Sequence, residues 1–174
     1  MNALLRTPGD YELFLYTLQE HYPSVQRSTL AFEQRGATLA RVAGELAFDQ
    51  GYRLVVRERV RFQRLPAVID WYGYEVWRGT EKLYWYDSQP HPDDPSLASS
   101  HPHHKHVPPN IKHNRIPAPG LSFDHPNLPY LIQEIEALIE ESARGLAEER
   151  QIPPHYDEAD LLADVATLRS LRPE

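Results

Sequence analysis

Apolar residues along the chain recur first with a period near 3.6 and then with a period of two. In DYELFLYTLQEHYP, residues 10–23, Leu13, Phe14 and Leu18 share a helical face, Asp10 suits the N-cap or first turn, and Pro23 follows the end. Val25 to Gln34 reads as a strand, with Arg35, Gly36 and Ala37 as its turn. In the next segment Ala40, Val42, Gly44, Leu46 and Phe48 alternate with Leu39, Arg41, Ala43, Glu45 and Ala47, the pattern of a strand with one buried face. DQG at 49–51 is a second turn. The alternation is clearest from Tyr52 to Phe62. Tyr52, Leu54, Val56, Val60 and Phe62 face one way, and Arg53, Val55, Arg57, Arg59 and Arg61 the other. AVIDWYGYEVW and EKLYWYD follow, rich in aromatic and β-branched residues and joined by the hairpin turn RGT. Short connections between consecutive strands imply an antiparallel meander.

The pattern changes after Asp87. Ten of the sixteen prolines lie between Pro90 and Pro129, and apolar periodicity is lost over a long His/Pro-rich loop, residues 88–126. Loops of that length in compact domains are usually functional or disordered. Periodicity returns in NLPYLIQEIEALIEES. There Asn127 is placed as the cap, Pro129 in the first turn, and Leu131, Ile132, Ile135, Leu138 and Ile139 on the apolar face. After a hinge at QIPPHYD, residues 157–170 read as a last acidic amphipathic helix. The expected fold is therefore α+β: an antiparallel sheet of about five strands with an N-terminal helix and one or two C-terminal helices. Residues 1–142 form the domain, and 143–174 an acidic helical extension.

Composition narrows the chemistry. The chain has 174 residues and no cysteine, which excludes disulfides and thiolate metal sites. It shows neither the basic stretch and apolar run of a signal peptide nor a membrane-length apolar run, so a cytoplasmic protein without membrane contact is expected. The net charge of −7 argues against nucleic acid only until it is resolved along the chain. From Met1 to Arg64 nine arginines face seven acids, whereas from Tyr130 onward eleven acids face four arginines. The body of the domain is mildly basic.

Seven of the nine histidines fall within 35 residues: His91, His101, His103, His104, His106, His113 and His125. The core of this group is HPHHKH, residues 101–106. A metal could be held by His101 with His103, or His104 with His106, on one side of an extended segment, with Asp87, Asp93 or His113 completing the shell, although no helical HExxH spacing is present and prolines constrain the segment. Metal-independent cleavage of RNA is the other chemistry such a cluster serves. It needs a base, an acid and a cation, and imidazoles near their ordinary pKa of about 6.5 fill the first two roles. His103, His104 and His106 are the acid–base candidates, with Lys105 and Arg115 for the phosphate and Lys112 close by. Arg53, Arg57, Arg59 and Arg61 form a row that could hold the RNA backbone. Tyr72, Tyr74, Trp85 and Tyr86 are candidates for stacking on bases, Tyr86 foremost. The bland alternatives are familiar: a solvated sheet face for the arginines, core for the aromatics, and an inert polar loop for the histidines.

EVWRGTEKLYWYDSQPHPDDPSLASSHPHHKHVPPNIKHNRIPAPG, residues 75–120, resembles the characteristic block of TumE-like proteins, the toxin half of bacterial toxin–antitoxin pairs. There an aromatic strand leads through a His/Pro loop into an HHKH-like motif, which here is His103, His104, Lys105 and His106. Residues 24–62 resemble the N-terminal sheet of the longer, cyanobacterial-type members. The resemblance implies a toxin that acts on RNA, and a cognate antitoxin that silences it, usually a small DNA-binding protein encoded alongside. No cofactor is expected, and the oligomeric state is open, a homodimer included. The N-terminal helix and the acidic tail after Ser142 depart from the short members.

Overall fold

The computed structural model describes residues 3–151. The expected class holds: an antiparallel sheet, a short N-terminal helix and a C-terminal helix. The sheet has eight strands rather than about five. Its centre is the meander read from the sequence: β3 (Leu39–Ala47), β4 (Tyr52–Arg61), β5 (Val68–Arg78) and β6 (Glu81–Asp87), each antiparallel to the next. Two short strands, β7 (His104–His106) and β8 (Arg115–Pro117), extend it beyond β6, inside the stretch that reads as a loop.

At the other edge the strand expected over Val25–Gln34 is split. β1 (Arg27–Ser28) and β2 (Ala31–Arg35) both pair with β3, and the chain between them folds down over Gly44. A Cβ on Gly44 would lie 2.4 Å from the Thr29 carbonyl oxygen, and its φ of 144° is one that side-chain-bearing residues rarely adopt. Only glycine allows that approach.

Helix α1 (Pro8–Tyr16) is capped by Thr7, whose hydroxyl accepts the Asp10 N–H, so Asp10 sits in the first turn. Its buried residues are Tyr11, Phe14 and Leu15; Leu13 is 64% exposed. A one-turn helix, α2 (Leu18–His21), buries Leu18. Helix α3 (Leu128–Gln151) buries Leu128, Leu131, Ile132 and Ile135 in the same core, with Leu138 and Ile139 at its margin. Asn127 precedes α3 as expected, but its side chain is used elsewhere. Its amide nitrogen donates to the Tyr74 hydroxyl and the Ser122 carbonyl, and its oxygen accepts the Ser122 N–H. The chain divides between Ile139 and Glu140 into two compact units, and the described part of the second is the continuation of α3. The helix expected over 157–170 lies outside the described residues. No helix among the described residues is long and apolar enough to cross a membrane.

Alternation in β4 sends Tyr52, Leu54, Val56 and Val60 into this core and Arg57, Arg59 and Arg61 to the outer face. Glu58 falls on the inward parity. Its carboxylate is fully buried and accepts hydrogen bonds of 2.7 Å from Tyr11 of α1 and Tyr74 of β5. Burial raises its pKa to about 7 despite those two bonds.

Candidate functional site

The register of β6 against β7 builds the site. Asp87 lies opposite His104, Tyr86 opposite Lys105, and Trp85 opposite His106. Because alternate residues of a strand share a face, Asp87, Trp85, His104 and His106 gather on one side of the sheet, with Tyr86 and Lys105 on the other. His104 and His106 are 0% and 2% exposed. Their rings do not hang in a loop.

Each ring is fixed through Nδ1. His104 Nδ1 lies 2.9 Å from the Pro102 carbonyl oxygen and His106 Nδ1 lies 2.9 Å from that of Ile111. A carbonyl only accepts, so both Nδ1 atoms carry hydrogen and both Nε2 atoms turn inward. The two Nε2 atoms are 3.1 Å apart, and they lie 3.0 and 3.6 Å from the two oxygens of Asp87. A proton on His104 Nε2 thus has two acceptors. Burial alone would raise the Asp87 carboxyl, but the bonds from His104, His106 and the Gln89 N–H outweigh it and hold the group well below the usual carboxylate range. Burial would likewise lower His104; its bonds to Asp87 and Pro102 prevail and raise it.

Three side chains frame this centre. The indole of Trp85 stacks on His106 with centroids 3.8 Å apart and donates to the Ile111 carbonyl, the same oxygen that orients the ring. His91 stands edge-on to His104, and one ligand-type atom from each of Asp87, His91 and His104 falls within a 4.8 Å span. Burial and then the charge of Arg115 lower its pKa. Arg115, opposite His106 on β8, has a buried Nε with no hydrogen-bond partner.

The remaining candidates are dispersed. Lys105 points to the opposite side of β7, where its ammonium donates to Glu134 at 2.7 Å and lies 3.7 Å from the Tyr84 ring centroid. Tyr84 and Tyr86 donate to the same carboxylate. Tyr86 is 2% exposed, so its ring has no face to offer a base; Tyr72 and Tyr74 are core as well. His103 is 2.7 Å from the Tyr72 hydroxyl through Nδ1 and packs against Phe123. His101 and Lys112 are exposed, and neither belongs to the Asp87 group. His91 and Trp85 were the residues whose part in the centre the sequence concealed. The His-x-His spacing of residues 104–106 was the available signal, since on a strand it puts two imidazoles on one face.

The arginine row is on the outer face as expected, but each member has an acidic partner. Arg53 pairs with Glu45 at 2.9 Å and Arg57 with Glu75 at 3.1 Å, while Arg59 and Arg61 share Asp70 at 2.6 Å each. Two aromatics on this face are Trp77, whose ring centroid lies 5.6 Å from the Arg53 guanidinium, and Trp71, 39% exposed, in a groove of about 420 Å³ that Arg41, Arg57 and Arg59 also line. Acids on the neighbouring strands thus offset the charge of the row. Arg57→Gln with Arg59→Gln is therefore expected to leave RNA affinity within about threefold and the salt slope nearly unchanged. A tenfold loss with a shallower slope in a filter-binding series would reinstate the row as the backbone contact.

No curated protein and no solved structure matches the chain. The model of one family, described as Toxin TumE, matches residues 14–142, a span that holds the sheet, the histidine–aspartate centre and the buried part of α3. With well over half its length matched, the chain belongs to the TumE toxin family.

Proposed function

We infer that this protein is the toxin of a toxin–antitoxin pair and that it cuts RNA at the Asp87–His91–His104–His106 centre. The observation that carries the reading is the convergence of three imidazoles on one mostly buried carboxylate, with an arginine beside them, inside the family-matched segment. Phosphodiester cleavage asks for groups of this kind. A hydroxyl must lose a proton, a leaving oxygen must gain one, and the charge that accumulates on phosphate must be offset. Arg115 is the candidate for the last duty, supported by a buried Nε–H that has no hydrogen-bond partner among the described residues.

The imidazoles can serve the cleavage by passing protons themselves, the metal-free route expected from the sequence, or by holding a cation that activates the attacking oxygen. The engagement of both ring nitrogens of His104 and of His106, in rings almost without exposure, favours the second. The family supplies the partner, a cognate antitoxin; a small DNA-binding protein encoded next to the toxin gene fits that role.

Purified protein incubated with transcribed RNA should yield discrete fragments, and Asp87→Asn should abolish them while keeping the shape of the site. Fragments with 2′,3′-cyclic phosphate ends and no loss in EDTA mark the metal-free route; loss in EDTA and recovery with Zn²⁺ or Mn²⁺ mark the other. Intact RNA in both conditions, from a protein that still arrests growth, would move the toxic activity to a different target.

A further inference from the structure

We propose that Asp87, His91, His104 and His106 bind one divalent first-row transition-metal ion, with zinc as the reference case. Tetrahedral coordination with metal–ligand distances of about 2.0–2.1 Å places neighbouring ligand atoms roughly 3.3 Å apart. The two Nε2 atoms are 3.1 Å apart, His104 Nε2 lies 3.0 Å from one Asp87 oxygen, and His106 Nε2 lies 3.6 Å from the other. Separations of that size are what two imidazole nitrogens and a carboxylate present around a single ion.

The outer contacts match the same reading. Imidazoles that ligate metals almost always donate their other N–H to a carbonyl or carboxylate, which fixes the tautomer and ring orientation. Here the carbonyls of Pro102 and Ile111 do so for both rings and leave each Nε2 lone pair aimed inward. Two lone pairs 3.1 Å apart repel unless a proton or a cation lies between them, and burial of both rings makes that demand stricter. Asp87 supplies the negative charge that a divalent ion needs in a mostly buried place. Trp85, stacked on His106, excludes water from one flank.

His91 is the fourth ligand. It comes from the turn just after β6, is only partly buried, and already has a ligand-type nitrogen within the 4.8 Å span of Asp87 and His104. A partly exposed ligand beside two buried imidazoles leaves room for a substrate oxygen to enter the coordination sphere. Nitrogen-rich sets with one carboxylate select zinc, cobalt, nickel or copper over magnesium and calcium, which prefer oxygen. Exposed His101 and His113 contribute nothing to this set.

As a cofactor the ion deepens the nuclease reading, on which its catalytic role rests; its binding does not depend on that reading. The test uses the untagged full-length protein, stripped with a chelator, then titrated with ZnCl₂ by calorimetry and with CoCl₂ by visible absorption. One ion per chain, the intense cobalt bands of a tetrahedral site, and a higher melting temperature with zinc are expected. His91→Ala and Asp87→Asn should each weaken zinc binding by at least about tenfold, with circular dichroism confirming the fold. His101→Ala with His113→Ala should leave it unchanged. No stoichiometric uptake of zinc, cobalt or nickel overturns the proposal, and the centre then holds a shared proton. So does binding that survives His91→Ala and Asp87→Asn and fails in the His101/His113 variant. An ion bound here by a protein that cuts no RNA keeps the site and removes the nuclease reading. Undiminished cleavage by stripped protein that takes up no ion does the reverse.

Discussion

Replacing His104 and His106 together by alanine should end growth inhibition and also lower the free energy of unfolding by about 2–4 kcal/mol. Read as loop residues, the two histidines could be removed with almost no change in melting, because surface substitutions usually cost within about 0.5 kcal/mol. The structure reverses that expectation. Both rings are buried, both hold a backbone carbonyl through Nδ1, and together they supply the hydrogen bonds that keep Asp87 ionised. Their loss strips a mostly buried carboxylate of its imidazole partners, frees the Pro102 carbonyl, leaves that of Ile111 to Trp85, and opens a void beneath Trp85. Asp87→Asn separates function from stability, since the amide keeps the volume and one acceptor. Urea melts and growth curves on the two variants give the answer. A double-alanine variant with the wild-type melt would return the rings to a solvated surface, and one that is folded and still toxic would remove the centre from the mechanism.

The second large effect lies at Glu58. Glu58→Ala should destabilise the fold by about 3 kcal/mol, because it empties a fully buried volume and leaves the Tyr11 and Tyr74 hydroxyls without their acceptor. The wild-type residue carries a pH dependence of its own. Its folded pKa of about 7 exceeds the reference value of 4.5, so the native state holds the proton more tightly than the unfolded chain does. Its contribution is fully present below about pH 4.5 and is lost as pH rises through about 7, a difference of roughly 3 kcal/mol. The groups facing it are both tyrosines, raised well above their usual range by burial and by Glu58 itself, so they do not titrate in this window. Glu58→Gln should therefore be more stable than wild type at pH 8 and lose most of the advantage at pH 5. Parallel stability profiles of the two proteins from pH 5 to 8 would falsify the assignment.

The sheet was legible because its central strands are long and amphipathic. Nine or ten alternating residues, as in β3 and β4, leave little choice of period or of which face is buried. The strands that build the centre were not legible. His-Lys-His and Arg-Ile-Pro carry no apolar alternation, are three residues long, and sit among prolines; they are strands only because the β6 edge offers them a ladder. The histidine motif identified the family and named two of the four residues in the centre, His104 and His106, with Asp87 weighed as a ligand. His91 could not be assigned, because its approach depends on how the turn after β6 folds back. The pairing of the arginine row was hidden for a related reason. Its acidic partners Glu45, Asp70 and Glu75 lie on neighbouring strands, and which acid meets which arginine follows from cross-strand register. Lys105 and Tyr86 were drawn away from the chemistry by Glu134, some thirty to fifty residues further along.

The order in which the parts of the centre occur along the chain has a consequence for synthesis. Strands β3 to β5 are complete once Arg78 has been made, but the centre needs Asp87, both histidines, the Ile111 carbonyl and β8, which ends at Pro117. At about 5–20 residues per second the interval between the two points is roughly 2–8 s. A chain still growing on the ribosome therefore presents its sheet before it possesses any chemistry. The clamp from Glu134 to Lys105 comes later still, with α3. A partner that reads the early strands would meet the newborn protein while it is still harmless.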